Sequence, residues 1–188
     1  MSKRFAIANL LGFQAVWFAA VIGAAQGMPW AGPLAAVVFA AAHFIWTPDR
    51  SGDAKLLAVS LPMGLIADSL LVVTGVLVFT SPWPSAYLAP AWILAMWAGF
   101  ALTLNHSMAF LRGRPWLAAG FGAIGGPLAY LGAANGFDAV AFGTSTPVAM
   151  IALGVIWGVA LPALYAIDRP RPPGGIGEGD RERESAAA

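Results

Sequence analysis

The sequence contains no cysteine and few charged residues. Without cysteine, the chain has no disulfide framework, no thiolate zinc site and no cysteine nucleophile. Charged residues make up 10% of the 188 residues, against about 25% in typical soluble domains. The net charge is +1, so the overall charge favours no nucleic-acid partner. What remains is a chain that is 59% hydrophobic.

The hydrophobic residues form unbroken runs of about 20 residues, the length that crosses a bilayer. None of these runs shows the polar stripe at 3.6-residue spacing that soluble helices carry. We therefore expect an all-α, polytopic membrane protein, a six-transmembrane-helix bundle. The predicted spans are residues 5–26, 30–46, 55–79, 89–111, 116–131 and 147–167. Residues 168–188 are rich in proline, glycine and charge, which predicts a disordered cytoplasmic tail.

The first run admits a second interpretation. A basic start at Lys3 and Arg4, followed by an apolar run and small residues, is typical of a signal peptide. This run is longer than the roughly 7–15 residues of a signal-peptide core, and it contains the amides of Asn9 and Gln14. We predict that it is retained as a helix.

The positive charges predict the orientation. All ten lysines and arginines fall into four places, and the first, third and fifth connections between the spans contain none. The places are Lys3 and Arg4; Arg50 and Lys55; Arg112 and Arg114; and Arg169, Arg171, Arg181 and Arg183. Because cytoplasmic connections carry the excess of positive charge, we expect both termini in the cytoplasm and the protein in the bacterial inner membrane. Membrane lipids, and other membrane proteins, are the expected partners.

A small set of polar side chains lies inside the predicted spans, where neighbouring helices must cover them. The set comprises Asn9, Gln14, His43, Asp68, Thr103, Asn105 and His106. A rise of ~1.5 Å per residue sorts them into two layers. The deep layer contains Asp68, Gln14 and Thr103. The shallower, cytoplasmic layer contains Asn9, His43, Asn105 and His106, and residues 47–54 are predicted to form a polar loop beside it.

Asp68 is the only acid inside a predicted span, roughly 20 Å from the Lys55 end. A charged acid at the centre of a membrane helix costs about 2.5–3.5 kcal/mol on insertion scales, so we expect Asp68 to face the bundle interior. Three roles stay open: a neutral side chain that is hydrogen-bonded to Gln14 or Asn105, a proton- or ion-coupling site, and a substrate-binding or catalytic group.

His106 has two readings. It can pack with Asn105 as a hydrogen-bonded pair, or it can act as a general base with Asp68 as its orienting group. Two histidines and one aspartate also suit a facial metal triad. Because the depth of Asp68 differs from that of His43 and His106 by about 10 Å, we predict no metal site. We also expect no cofactor, and His43 is expected to be an interfacial or packing histidine.

Several local sequences, taken together, resemble those of a known family. They are Asn9, Gln14 and Trp17; Asp68-Ser69; Thr103-Leu104-Asn105-His106-Ser107; and Gly126-Pro127-Leu128-Ala129-Tyr130. The set is similar to that of the bacterial membrane-protein family catalogued as domain of unknown function 2878, over about residues 3–167. Members resemble products of gene clusters that also encode cyclopropane-fatty-acid-synthase-like enzymes, so the resemblance implies a lipid-related role.

Three functional hypotheses follow. The first is an accessory or structural inner-membrane component, without enzymatic activity of its own, that supports lipid modification. The second is a small transporter or lipid flippase with Asp68 as its protonatable site; it requires a polar path to both faces, whereas the polar groups lie in the cytoplasmic half. The third is an intramembrane lipid-modifying enzyme that uses Asp68 and His106, and it requires the two side chains to be within hydrogen-bond reach.

Overall fold

The computed structural model describes residues 3–167 as six α-helices and one two-stranded antiparallel sheet. The helices are α1 (Lys3–Ala25), α2 (Ala31–Trp46), α3 (Arg50–Val73), α4 (Ala91–Ala101), α5 (Pro115–Phe137) and α6 (Thr146–Ile167). The strands are β1 (Leu77–Phe79) and β2 (Val140–Phe142). A single 3₁₀ turn, Ala109–Leu111, precedes α5. The tail predicted at residues 168–188 lies outside the described residues.

Four of the helices in residues 3–167 are long and apolar enough to cross a membrane: α1, α3, α5 and α6. The other two are shorter, 16 residues in α2 and 11 residues in α4. The predicted all-α class is confirmed, and the four long helices are compatible with a membrane protein, but six full-length spans are not supported. The predicted run 89–111 is shortened because regular helix ends at Ala101 and the chain continues in tight turns.

α3 begins earlier and ends earlier than the sequence predicts. It begins at Arg50 because the Asp49 carboxylate accepts a hydrogen bond from the Gly52 N–H at 2.9 Å, which caps the first turn. The predicted polar loop is thereby reduced to residues 47–49. The helix ends at Val73 because Gly75 adopts a left-handed φ of 71°, and the Val76 N–H closes a Schellman bond to the Leu71 carbonyl at 2.9 Å.

The apolar residues beyond that turn form β1 instead of more helix. β1 pairs with β2 in the register Leu77 with Phe142, Val78 with Ala141 and Phe79 with Val140. The predicted loop 132–146 accordingly contains the last turns of α5 and then β2. The sheet ties the end of α3 to the end of α5, far from the α2–α3 corner.

α5 and α6 pack closely because glycines line their contact. A Cβ atom on Gly122 would collide with the carbonyl oxygen of Trp157, and one on Gly126 would collide with the Trp157 indole. Small residues let helix backbones approach in this way within membranes. The close contact also fixes the Trp157 ring, which stacks on Trp97 of α4 with 4.3 Å between ring centroids.

Substitution of Gly122 tests this packing. We expect Gly122→Ala to lower the free energy of unfolding by about 1–3 kcal/mol, because the added methyl group meets backbone that cannot move aside. The matched control is Gly120→Ala on the same helix, where a Cβ meets nothing within 4 Å. Unfolding in mixed micelles measures both variants, and equal stability of the two would contradict the packing described.

Candidate functional site

The corner between α2 and α3 brings a histidine and an aspartate together. His43 lies in the last turn of α2 and Asp53 in the first turn of α3. Arg50 holds the corner by donating from Nε to the Phe44 carbonyl at 2.9 Å, a favourable place for a cation at a helix C-terminus. Thr47 fills the corner, and its hydroxyl donates to Asp53 Oδ2 at 2.5 Å.

The segment after α4, residues 102–108, supplies the second histidine. It is a series of tight turns, in which the Thr103 hydroxyl bonds the Phe100 carbonyl at 2.6 Å. Side chains of this type compete with helical hydrogen bonding. The carbonyls released from the helix find partners on other helices: Asn9 donates to the Leu102 carbonyl at 3.0 Å, and Tyr165 donates to the Met108 carbonyl at 2.7 Å. Irregular backbone is tolerated at membrane depth when protein covers it in this way.

Asp53 is the centre of the cluster that results. Its carboxylate is fully buried, and His43 and His106 are 3% and 4% exposed. Four side chains donate to its two oxygens. They are His43 Nε2 at 2.8 Å, Thr47 Oγ1 at 2.5 Å, His106 Nε2 at 2.8 Å and Asn105 Nδ2 at 3.1 Å. An ionised carboxylate has about four acceptor positions, so these donors satisfy it. We call His43, Asp53 and His106 the His–Asp–His cluster.

Asn9 orients His43 from α1. Its amide nitrogen lies 3.3 Å from His43 Nδ1 and also donates to the Leu102 carbonyl. Its amide oxygen accepts from the Ser107 hydroxyl at 2.7 Å. These contacts fix the direction of the amide, so Nδ1 of His43 accepts a hydrogen bond and Nε2 carries the proton that is donated to Asp53.

The His–Asp–His cluster is also a potential ligand set. Two imidazoles and one carboxylate each offer one atom, and the three atoms lie within 4.8 Å of one another. The sequence predicted no metal on the ground that Asp68 is too deep to join the histidines. The aspartate that does join them is Asp53, from the segment that was predicted to be a polar loop.

Asp68 belongs to a separate network. Its Oδ2 accepts from the Trp97 indole nitrogen at 2.7 Å, and its Oδ1 accepts from the Tyr130 hydroxyl. The expected partners were Gln14 or Asn105; the indole and the phenol replace them because Gly64 lets Trp97 lie directly against α3. The acid–base pair of Asp68 and His106 is likewise not formed, since His106 donates to Asp53.

An aromatic cleft adjoins the Asp68 network. Its volume is about 390 Å³, and Trp97 and Tyr130 form part of its wall. Other lining residues come from α1, α4, α5 and α6, among them Phe13, Gln14, Trp17, Met96, Phe121, Leu128, Ala129 and Trp157. Gln14, Phe121 and Leu128 are exposed, so the cleft opens on the outer surface between α1 and α5.

The structure thus divides the polar residues predicted from the sequence. It brings Asn9, His43, Asn105 and His106 together. Gln14 lines the cleft, and the Thr103 hydroxyl donates to the Phe100 carbonyl one turn earlier in the chain. Sequence reasoning missed Asp53, Thr47, Trp97 and Tyr130. One signal could have found Asp53: the buried positions Asp53, Leu56, Ser60, Gly64, Asp68 and Leu71 follow a helical period.

Removal of the central carboxylate tests the cluster. We expect Asp53→Ala to lower the free energy of unfolding by about 3–5 kcal/mol, because it leaves buried donors on several elements without an acceptor. Asp49→Asn, four positions earlier, is the control, since asparagine also caps helices well. Denaturant titration in mixed micelles measures the difference, and a loss below about 1 kcal/mol would show that the hydrogen bonds to Asp53 contribute little.

Comparison with known proteins gives the family but no activity. The family model described as "Protein of unknown function (DUF2878)" matches residues 6–163. No curated protein and no solved structure matches the chain. The matched range includes the His–Asp–His cluster, the Asp68 network and the aromatic cleft. The resemblance noted in the sequence is therefore confirmed, and the chain belongs to the DUF2878 family.

Proposed function

We propose that this protein is a multi-pass membrane protein that binds the hydrocarbon chain of a lipid in the aromatic cleft, as an accessory component without catalysis of its own. The observation that carries this proposal is the lateral opening of the cleft between α1 and α5, two helices that are long enough to cross a bilayer. The lipid-related role that the family resemblance implies is consistent with this proposal.

The position of the opening favours an acyl chain over a water-soluble ligand. Gln14 lies near the middle of α1, roughly 17 Å from its start, and Phe121 to Leu128 occupy the middle of α5. In a membrane-spanning bundle, these depths correspond to the hydrocarbon core, which is about 30 Å thick. A ligand that enters there is one already dissolved in the bilayer.

The lining favours the same class of ligand. The volume of about 390 Å³ lies within the range of about 300–1,000 Å³ that is usual for small-molecule sites. The wall is largely apolar and rich in aromatic rings, and the polar atoms of Trp97 and Tyr130 are bonded to Asp68 rather than turned to a ligand. Gln14 is the polar group at the mouth and can meet an ester or hydroxyl group on the chain.

The rival functions draw less support. An enzyme that pairs Asp68 with His106 lacks the required contact, because the two belong to different networks. A transporter that protonates Asp68 requires access to its carboxyl group, which is 2% exposed and closed off by Trp97 and Tyr130.

The proposal includes a topology. α2 and α4 are short, but each connects two long helices. Lysine and arginine occur in every second connection between the helices, as six crossings with one positively charged face require. α2 covers about 24 Å at ~1.5 Å per residue, and α4 is extended by the turns up to Leu111. The ends that carry the His–Asp–His cluster would face the cytoplasm, with the protein in a bacterial inner membrane.

Photo-crosslinking tests lipid binding. In vesicles that contain phospholipid with a mid-chain diazirine, we expect labelling of Met96, a half-buried residue of α4 that lines the cleft. Ala129→Phe places a bulky ring in the cleft and should reduce Met96 labelling several-fold. Ile124→Phe, an exposed position on α5 outside the cleft lining, should not.

The same experiment can refute the proposal. Labelling restricted to outward residues, with none at Met96 in the wild-type protein, would leave the cleft without a lipid ligand. Equal labelling of Met96 in the Ala129→Phe and Ile124→Phe variants would show that the lipid that labels Met96 does not lie in the cleft.

Cysteine labelling tests the topology, because the chain has no cysteine of its own. In intact cells, a membrane-impermeant maleimide should label Gln26→Cys and Ala86→Cys. It should reach Ser51→Cys and Trp116→Cys only after permeabilisation. All four positions are exposed. Labelling of residues 26 and 51 from the same side would show that α2 does not cross the membrane.

A further inference from the structure

The His–Asp–His cluster lies apart from the aromatic cleft, and none of its members lines that cleft. We propose that this cluster binds a divalent transition-metal ion of the zinc class, with His43 Nε2, Asp53 carboxylate oxygen and His106 Nε2 as ligands. The proposed metal site shares no residue with the proposed lipid site, so an experiment can refute one proposal and leave the other standing.

The composition of the cluster is the first argument. Two histidines and one carboxylate are the protein ligands of many open zinc sites and of the facial triad of non-haem iron. The chain has only two histidines, and both are in the cluster, more than nine-tenths buried.

The geometry is the second argument. Both imidazoles point Nε2 at the same oxygen, Asp53 Oδ2, each at 2.8 Å. The rings lie at 66° to each other with centroids 4.9 Å apart, so neither blocks the other. In a tetrahedral site with bonds of about 2.0–2.2 Å, the ligand atoms lie roughly 3.4 Å apart. The two 2.8 Å contacts must therefore open by about half an ångström to admit an ion, and the two nitrogens adjust from a separation of no more than 4.8 Å.

The surroundings supply a further ligand and support. Thr47 Oγ1 lies 2.5 Å from Asp53 Oδ2 and 3.4 Å from His106 Nε2, where it can bond a metal-bound water or bind the ion directly. Asn105 donates to the other carboxylate oxygen at 3.1 Å, which leaves one oxygen available for an ion. Hydrogen-bonded support of a ligating carboxylate is common in metal sites.

Binding requires a rearrangement of protons. Coordination needs an unprotonated Nε2, so a neutral histidine that donates from Nε2 must carry its proton on Nδ1 instead, and a doubly protonated one must release the Nε2 proton to solvent. For His43, a proton on Nδ1 requires the Asn9 amide to turn its oxygen towards the ring. The amide nitrogen then faces the Ser107 hydroxyl, which can accept, while the amide's bonds to the Leu102 carbonyl and from the Ser107 N–H are lost.

Metal titration tests the proposal. The full chain is purified in detergent with a histidine-free affinity tag, stripped with a chelator and titrated with Co²⁺ or Zn²⁺. We expect one ion per chain, visible Co²⁺ absorption bands of low coordination number, and a higher melting temperature with Zn²⁺. Asp53→Asn and His106→Gln should each weaken binding by at least about 100-fold, since loss of a supporting group alone costs about 10–100-fold.

Two controls match Asp53→Asn in the change of residue. Asp49→Asn removes an exposed carboxylate four residues from Asp53, and Asp68→Asn removes a buried one in the other network. Both should bind the ion as the wild type does. The proposal is overturned if the wild-type protein takes up no stoichiometric ion, a result that needs no folded variant, or if Asp53→Asn and His106→Gln bind it with unchanged affinity.

Discussion

The structure depends on one constraint: a carboxylate removed from water must collect hydrogen-bond donors from the protein around it. Asp53 does so from three directions. His43 and Thr47 come from the end of α2 and the corner after it, and Asn105 and His106 come from the turns after α4. The Asp53 side chain therefore fixes the end of α2, the start of α3 and the turns after α4 relative to one another. Asn9 of α1 and Tyr165 of α6 in turn hold His43 and those turns in place.

This constraint explains why the chain has irregular backbone inside an apolar bundle. A continuous helix through residues 102–108 would turn Asn105 and His106 about 100° apart, and both could not reach Asp53. The turns direct both towards it, and the backbone carbonyls that they release are bonded by Asn9 and Tyr165. Among the described residues, no buried side-chain nitrogen or oxygen is left without a partner. The break in the helix is thus compensated, and it produces the cluster.

The second buried carboxylate shapes the rest of the bundle. Asp68 holds Trp97 and Tyr130, and these rings close one wall of the aromatic cleft. Glycines make the arrangement sterically possible, Gly64 against Trp97 and Gly126 against Trp157. One carboxylate therefore organises the polar end of the bundle, and the other organises its apolar, ligand-sized space.

The sequence predicts the class of this fold because a helix that crosses the hydrocarbon core of a bilayer needs a long run of apolar residues, and such runs are visible in the sequence. It predicts boundaries poorly, because an apolar residue looks the same in a helix, in the strand Leu77–Phe79 or in a turn. Charge was the misleading signal at Asp53: residues 47–54 contain several charged side chains and were predicted to be a loop, whereas Asp49 caps a helix whose first turn is already buried. Counting along the helices grouped Asn105 and His106 with Asn9 and His43, and these side chains do lie together, but their partner depends on where α3 begins.

A double-mutant cycle on unfolding in mixed micelles tests the central role of Asp53 most directly. The cycle pairs Asp53→Ala with His106→Ala, and a second cycle pairs Asp68→Ala with His106→Ala. The structure predicts a coupling energy of about 0.5–3 kcal/mol for Asp53 with His106, and additivity within about 0.5 kcal/mol for Asp68 with His106. Additivity in the first cycle, or strong coupling in the second, would contradict the network described.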